Sequence, residues 1–268
     1  MPTIGKVRYL DVPAAGARPR GVLVLLHAFP LNARMWEPQF ELAAQGWRVV
    51  APHFRGFDGG IDDPPVSTVD DYAADVVDLL DALHVGDAVI GGLSMGGYVA
   101  LAMLRLAPRY ISGLVLADTR AQADTPEGKA GRTRMLQLLA DNPTGGPAAV
   151  AGEMIPKLLG ATTRAGGTEV SDRIRDLILS SPSSAIAGGL RALMSRPDST
   201  PLLATIHCPT LIVVGDEDTL TPPALSEEMH RAIAGSELIV LPAAGHLSSF
   251  EQPATFNSAL ARFLTHRV

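Results

Sequence analysis

Three residue types that cooperate in nucleophilic catalysis stand at separate points of the chain. Gly92-Leu93-Ser94-Met95-Gly96 has the form G-x-S-x-G and follows the apolar run 88–90. A serine at the tip of a tight strand-to-helix turn has strained backbone angles, and side chains two residues before and after it collide. Glycine at 92 and 96 answers that demand. A serine hydroxyl is a poor nucleophile at neutral pH and needs a base with an orienting acid. His246 is the candidate base, on a loop just past the last apolar run and preceded by Gly245. The acid lies in Gly215-Asp216-Glu217-Asp218, just past the penultimate run. Asp216, Glu217 and Asp218 compete there. Asp218 is preferred, and Asp216 beside Gly215 reads as a turn-former. Asp118 also ends an apolar run and is an outside candidate. Together these groups suit acyl transfer through a covalent intermediate on Ser94.

The elements that must hold them follow from pattern. Runs at 22–26, 48–51, 88–90, 113–117, 210–214 and 237–241 are apolar apart from Arg48, Thr210 and Glu237 at their starts, and do not alternate, as in strands covered on both faces. Helical patterns fall at 36–45, 69–83, 98–106, 223–234 and 253–267. The helix near 69 has capping residues before it at Ser67-Thr68. This alternation predicts a mostly parallel α/β sheet with helices on both faces. Residues 7–12 add an antiparallel edge strand. Between 119 and 200 no strand is evident. Helical patterns at 132–141, 148–159, 170–180 and 184–195 are separated by Gly and Pro groups. The expected organisation is a core of 1–119 and 201–268 with a helical cap at 120–200.

The chain order Ser94, Asp218, His246 resembles that of α/β-hydrolases. The serine elbow, the Gly-Asp-x-Asp loop, Gly245-His246 and Glu251-Gln252-Pro253 are similar to those of bacterial carboxylesterases, cofactor-free haloperoxidases, enol-lactonases and C–C bond hydrolases. The likeness covers essentially the whole chain. His27-Ala28-Phe29-Pro30 resembles the HGxP loop of that family, with Ala28 where glycine is usual. The resemblance implies an oxyanion hole made by the backbone N–H groups of Phe29 and Met95. His27 reads as a structural brace for that loop. The expected activity is hydrolysis of small, neutral short-chain or aryl esters, with no cofactor and no metal. An enol-lactonase or perhydrolase would use the same triad, and a carboxylated lactone would call for a cationic anchor such as Arg120, Arg132 or Arg134. The non-enzyme alternative is a small-molecule receptor on the same fold. Such proteins often lose a triad member or an oxyanion donor, and none is missing here.

The remaining features are plainer. Trp36, Met135, Leu139, Met154 and Leu158, with Leu136 and Ile155, are candidates for an acyl pocket under the cap, or equally for cap core. The other histidines lack metal-ligand spacing. The Asp58–Asp63 cluster reads as a solvated loop. The chain has 268 residues, 47% of them hydrophobic, a net charge of −6 and one cysteine, Cys208. With no Lys/Arg run, nucleic acid is not an expected partner. With no run long enough to span a bilayer, neither is a membrane. A single cysteine and no signal-like N-terminus predict a cytoplasmic protein.

Overall fold

Apolar runs of β-branched and aliphatic residues become neighbouring strands of one sheet. The computed structural model describes residues 2–16, 19–57, 59, 66–266 and 268. Its strands are β1 (Thr3–Ile4), β2 (Val7–Val12), β3 (Gly21–Leu26), β4 (Trp47–Pro52), β5 (Ala88–Leu93), β6 (Ile111–Ala117), β7 (Thr210–Gly215) and β8 (Glu237–Leu241). Among the described residues they form one eight-stranded sheet in the order β1-β2-β4-β3-β5-β6-β7-β8. Neighbours from β4 to β8 run parallel. β2 is antiparallel to β4, as expected, but β1 pairs beyond it, so β2 is not the outermost strand. Every residue of β5 and β7 is buried, which requires cover on both faces of the sheet.

The helices supply that cover. α1 (Val69–Ala82) begins with a reciprocal cap: Asp71 N–H donates to Thr68 Oγ1, and Thr68 N–H donates to the Asp71 carboxylate. α1 packs on α2 (Met95–Leu106), which lies on β3, β5 and β6. The helical pattern at 36–45 falls in a 3-10 helical segment, Ala33–Gln45. Pro38 inside it has no N–H to give the i→i−4 ladder.

Five α-helices lie in sequence between β6 and β7, ahead of a short 3-10 helix at Thr200–Thr205: α3 (Pro126–Asp141), α4 (Gly146–Leu158), α5 (Ala161–Ala165), α6 (Glu169–Leu179) and α7 (Ser183–Ser195). α5 was not expected. It has five residues, too few to show a helical period. α8 (Pro223–Ala232), α9 (Ser248–Glu251) and α10 (Pro253–His266) complete the chain. Among the described residues, no helix is long and apolar enough to cross a membrane. The Asp58–Asp63 cluster, Gly59 apart, lies outside the described residues.

Candidate active site

The candidate residues follow the carboxyl ends of parallel strands, where open α/β sheets leave a crevice. His27 follows β3, Ser94 follows β5, Asp118 follows β6, Asp218 follows β7, and His246 lies on the loop after β8.

Ser94 has φ 54° and ψ −111°, a strained combination for a residue with a side chain. The turn is tight enough that a Cβ on Gly92 would lie 2.2 Å from the carbonyl of Gly96, and one on Gly96 would lie 2.0 Å from that of Leu26. Ser94 N–H donates to Ala117 O at 2.9 Å, and Thr119 Oγ1 donates to Ser94 O at 2.9 Å, so the end of β6 holds the strained residue. Thr119 was not singled out from sequence. Its only signal is its place two residues past an apolar run.

His246 Nε2 lies 2.8 Å from Ser94 Oγ, and its Nδ1 lies 2.8 Å from Asp218 Oδ2. Asp218 is itself anchored. Its Oδ1 accepts from Leu220 N–H (2.8 Å) and Thr221 N–H (3.0 Å), and its Oδ2 accepts from Thr221 Oγ1 (2.6 Å). Burial alone would raise the Asp218 carboxyl, but His246 and the Thr221 hydrogen bonds hold it below its ordinary value. With Asp218 ionised, His246 Nδ1 is the donor and Nε2 is free to accept from Ser94. The histidine loop has its own support. Glu251 accepts from both amides flanking the histidine, Gly245 N–H at 2.9 Å and Leu247 N–H at 3.2 Å.

The competing acids stand elsewhere. Asp216 is exposed and accepts from Ala244 N–H at 3.5 Å, across to the histidine loop. Glu217 accepts from Thr162 N–H at 2.8 Å. Asp118 is fully buried behind Asp218, accepting from Gly215 N–H (2.9 Å) and Ser248 Oγ (2.5 Å). Burial, reinforced by the Asp218 charge, pushes its carboxyl well above the usual range.

The N–H groups of Phe29 and Met95 have no hydrogen-bond acceptor among the described residues. Ala28 does not adopt a positive φ, so its methyl group is no obstacle in the loop. His27 is fully buried, and burial drives its pKa down to about 3. The neutral ring accepts from Phe54 N–H at Nε2 (3.0 Å) and donates from Nδ1 to Ala28 O (3.0 Å). It ties the β3 loop to the β4 loop.

A cavity of about 270 Å³ opens on Ser94 and His246, with Phe29 in its wall. Met135, Met154 and Leu158 line its far side, from α3 and α4. Trp36 and Leu139 do not line it. Trp36 is buried beside Phe256, with ring centroids 6.1 Å apart. Leu139 packs against Gly146 within the helical segment. Both belong to packed core, which an apolar periodicity cannot tell from a pocket. Arg120, Arg132, Asp124 and Lys157 also line the cavity, and Arg134 does not. The expected neutral pocket rested on the absence of a Lys/Arg run. These cations come from separate elements and gather only in the fold. Among the described residues, no three His, Cys, Asp or Glu side chains cluster in a way that could hold a metal ion.

Comparison with known proteins agrees with this architecture. A model of the alpha/beta hydrolase family matches residues 23–259. A thermophilic esterase from Thermogutta terrifontis, solved with malate bound, is 38% identical, with a TM-score of 0.89 over 97% of this chain and 93% of that one. An enol-lactonase from Burkholderia xenovorans is 27% identical, with a TM-score of 0.85 over 97% of this chain and 96% of that one. By sequence, 3-oxoadipate enol-lactonase 1 of Acinetobacter baylyi is 27% identical over 256 residues, covering 95% of this chain and 92% of that protein.

Proposed function

The chain belongs to the alpha/beta hydrolase family, and on that premise we propose that it hydrolyses carboxylic esters through an acyl-enzyme on Ser94. One observation carries the reading: the unbroken hydrogen-bond relay from Ser94 Oγ through His246 to Asp218, ending at a cavity wall. His246 takes the Ser94 proton at Nε2 as Oγ attacks the ester carbonyl. Asp218 fixes the ring tautomer and stabilises the imidazolium that forms. The unoccupied N–H groups of Phe29 and Met95 are donors for the tetrahedral oxyanion, each worth roughly 3 kcal/mol in such sites. The imidazolium then protonates the departing alcohol. Water, deprotonated by the same ring, attacks the acyl-enzyme and releases the acid and Ser94. The helical segment 120–200 acts as a cap that limits bulk water and sets which groups fit.

A panel of p-nitrophenyl esters from acetate to octanoate tests this. The wild-type protein is expected to release p-nitrophenol from the shorter members, and Ser94→Ala to lower kcat by about 10⁴- to 10⁶-fold. If folded wild-type protein cleaves no member of the panel, or Ser94→Ala cleaves it as fast, the proposal fails.

A further inference from the structure

The cap-side wall of the cavity carries more positive charge than its own contacts need. Asp124 is the anion of this wall, with its carboxylate completely enclosed, and three arginines converge on it. Arg196 is committed through both Nη atoms, although its buried Nε has no acceptor. It pairs with Asp124 Oδ1 at 2.8 Å, donates to Leu193 O and Gln122 O, and lies 4.1 Å over the Tyr98 ring. That buried pair already balances Asp124, whose carboxyl burial would raise but whose arginine partners hold at about 2. Arg120 and Arg132 are therefore surplus charges. Arg120 reaches Asp124 with one nitrogen, at 2.9 Å, and its buried Nε has no acceptor. Arg132 contacts Asp124 through Nε and Nη2. Both line the cavity onto which Ser94 opens, each with only about a fifth of its side chain exposed (21% and 22%). In a chain of net charge −6, this is a local reversal of sign beside the nucleophile.

Surplus guanidinium charge held away from water is costly unless an anion joins it. The planar fork of arginine matches the two oxygens of a carboxylate in a bidentate contact. We propose that Arg120 and Arg132 form a carboxylate-binding subsite, so that the preferred ester carries a second, free carboxylate besides the bond that Ser94 attacks. This rests on the esterase reading above. Arg120 and Arg132 are specificity-determining residues in this scheme, and the apolar wall of Met154 and Leu158 accepts the chain between the two carbonyl groups. Asp124 orients the two guanidinium groups and keeps them from turning to solvent.

Two matched pairs of substrates test the subsite. p-Nitrophenyl hemisuccinate against p-nitrophenyl butyrate places the carboxylate on the acyl side. 4-Acetoxybenzoate against phenyl acetate places it on the alcohol side. In at least one pair, wild-type kcat/KM for the carboxylated member should exceed that of the neutral member by about tenfold or more, as expected for a charge-assisted contact. That ratio should collapse towards one in Arg120→Gln and in Arg132→Gln, and be partly retained in Arg132→Lys. Binding of succinate to Ser94→Ala, measured by calorimetry, reads the same contact without turnover. It should weaken by about tenfold on adding Arg120→Gln or Arg132→Gln. If the wild type cleaves the neutral member of both pairs faster, or if the arginine variants leave the ratios and succinate binding unchanged, the subsite is wrong while the esterase reading stands. If neither member of either pair is cleaved, it is the esterase reading that falls.

Discussion

The two walls of the cavity are built by different means. On the sheet side, Ser94, Asp218 and His246 are each held by hydrogen bonds that involve a backbone group. Ser94 is pinned by Ala117 O and Thr119, Asp218 by two amides of its own loop, and His246 by Glu251 on both flanking amides. On the helical side, the wall is made of side chains, the thioethers of Met135 and Met154 and the guanidinium groups of Arg120 and Arg132, which are held by the Asp124 side chain. Two carboxylates join the walls. Glu251 also accepts from Gly160 N–H (2.8 Å) and Thr163 Oγ1 (2.6 Å), and Glu217, next to Asp218, accepts from Thr162 N–H (2.8 Å). The contrast separates chemistry from selection. Substitutions on the sheet side should alter kcat, and those on the helical side should alter which ester is preferred.

The largest expected effect lies within the sheet side and uses its two buried aspartates. Asp218→Asn leaves the shape intact but removes the charge that fixes the His246 tautomer, and should lower kcat by about 10⁴-fold. Asp118→Asn replaces a carboxyl that stands outside the hydrogen bonds linking Ser94, His246 and Asp218. It keeps an acceptor for Gly215 N–H, and should change kcat by less than about tenfold. Steady-state kinetics on one ester decide the matter. A reversed order would make Asp118 the working acid.

The next effect distinguishes the walls by acid. His27 is neutral in the fold down to about pH 3, whereas an exposed histidine in the unfolded chain takes up its proton near 6.5. Above that pH both states are neutral and the stability is fully present. As pH falls from 6.5 towards 3, only the unfolded chain gains the proton, and about 1.4 kcal/mol is lost per pH unit. At pH 5 the loss is about 2 kcal/mol. Asp124, ionised down to about 2, starts to lose its contribution only as pH falls below its ordinary value of 3.8. Mild acid should therefore weaken the sheet side first. Denaturant unfolding at pH 7 and pH 5 should show this drop in the wild type and a shallower one in His27→Gln. Equal slopes would remove His27 as the cause.

Legibility from sequence follows the same division. The strands, the elbow and the chain order of Ser94, Asp218 and His246 could be read because each depends on a local demand: unbroken burial along a strand, or glycine where a Cβ has no room. Thr221 and Glu251 were less legible as partners of Asp218 and of the His246 loop, since a threonine and a glutamate have many uses. On the helical side the apolar period located α3, α4, α6 and α7, but gave no means of telling Met154, at the cavity, from Leu139, inside the packing. The arginines were hidden more deeply. Arg120, Arg132 and Arg196 are spread over 77 positions and meet only because Asp124 collects them (positions 120 to 196, counted inclusively).

That pair of apolar residues yields the smallest effect and the finest test of the contrast. Met154 is half-buried and lines the cavity, so Met154→Ala enlarges the space for an acyl chain. Leu139 is buried beside Gly146, so Leu139→Ala leaves a void inside the helical segment. The first substitution should raise the ratio of kcat/KM for p-nitrophenyl hexanoate over acetate by roughly tenfold or less, the range that small changes in an apolar pocket allow. The second should leave that ratio unchanged and cost about 2–5 kcal/mol of stability. Kinetics on the two esters, with thermal unfolding of both variants, separate these outcomes. If Leu139→Ala shifts the ratio as much as Met154→Ala, the helical side transmits packing changes to the substrate, and its selectivity belongs to the whole segment rather than to the residues at the wall.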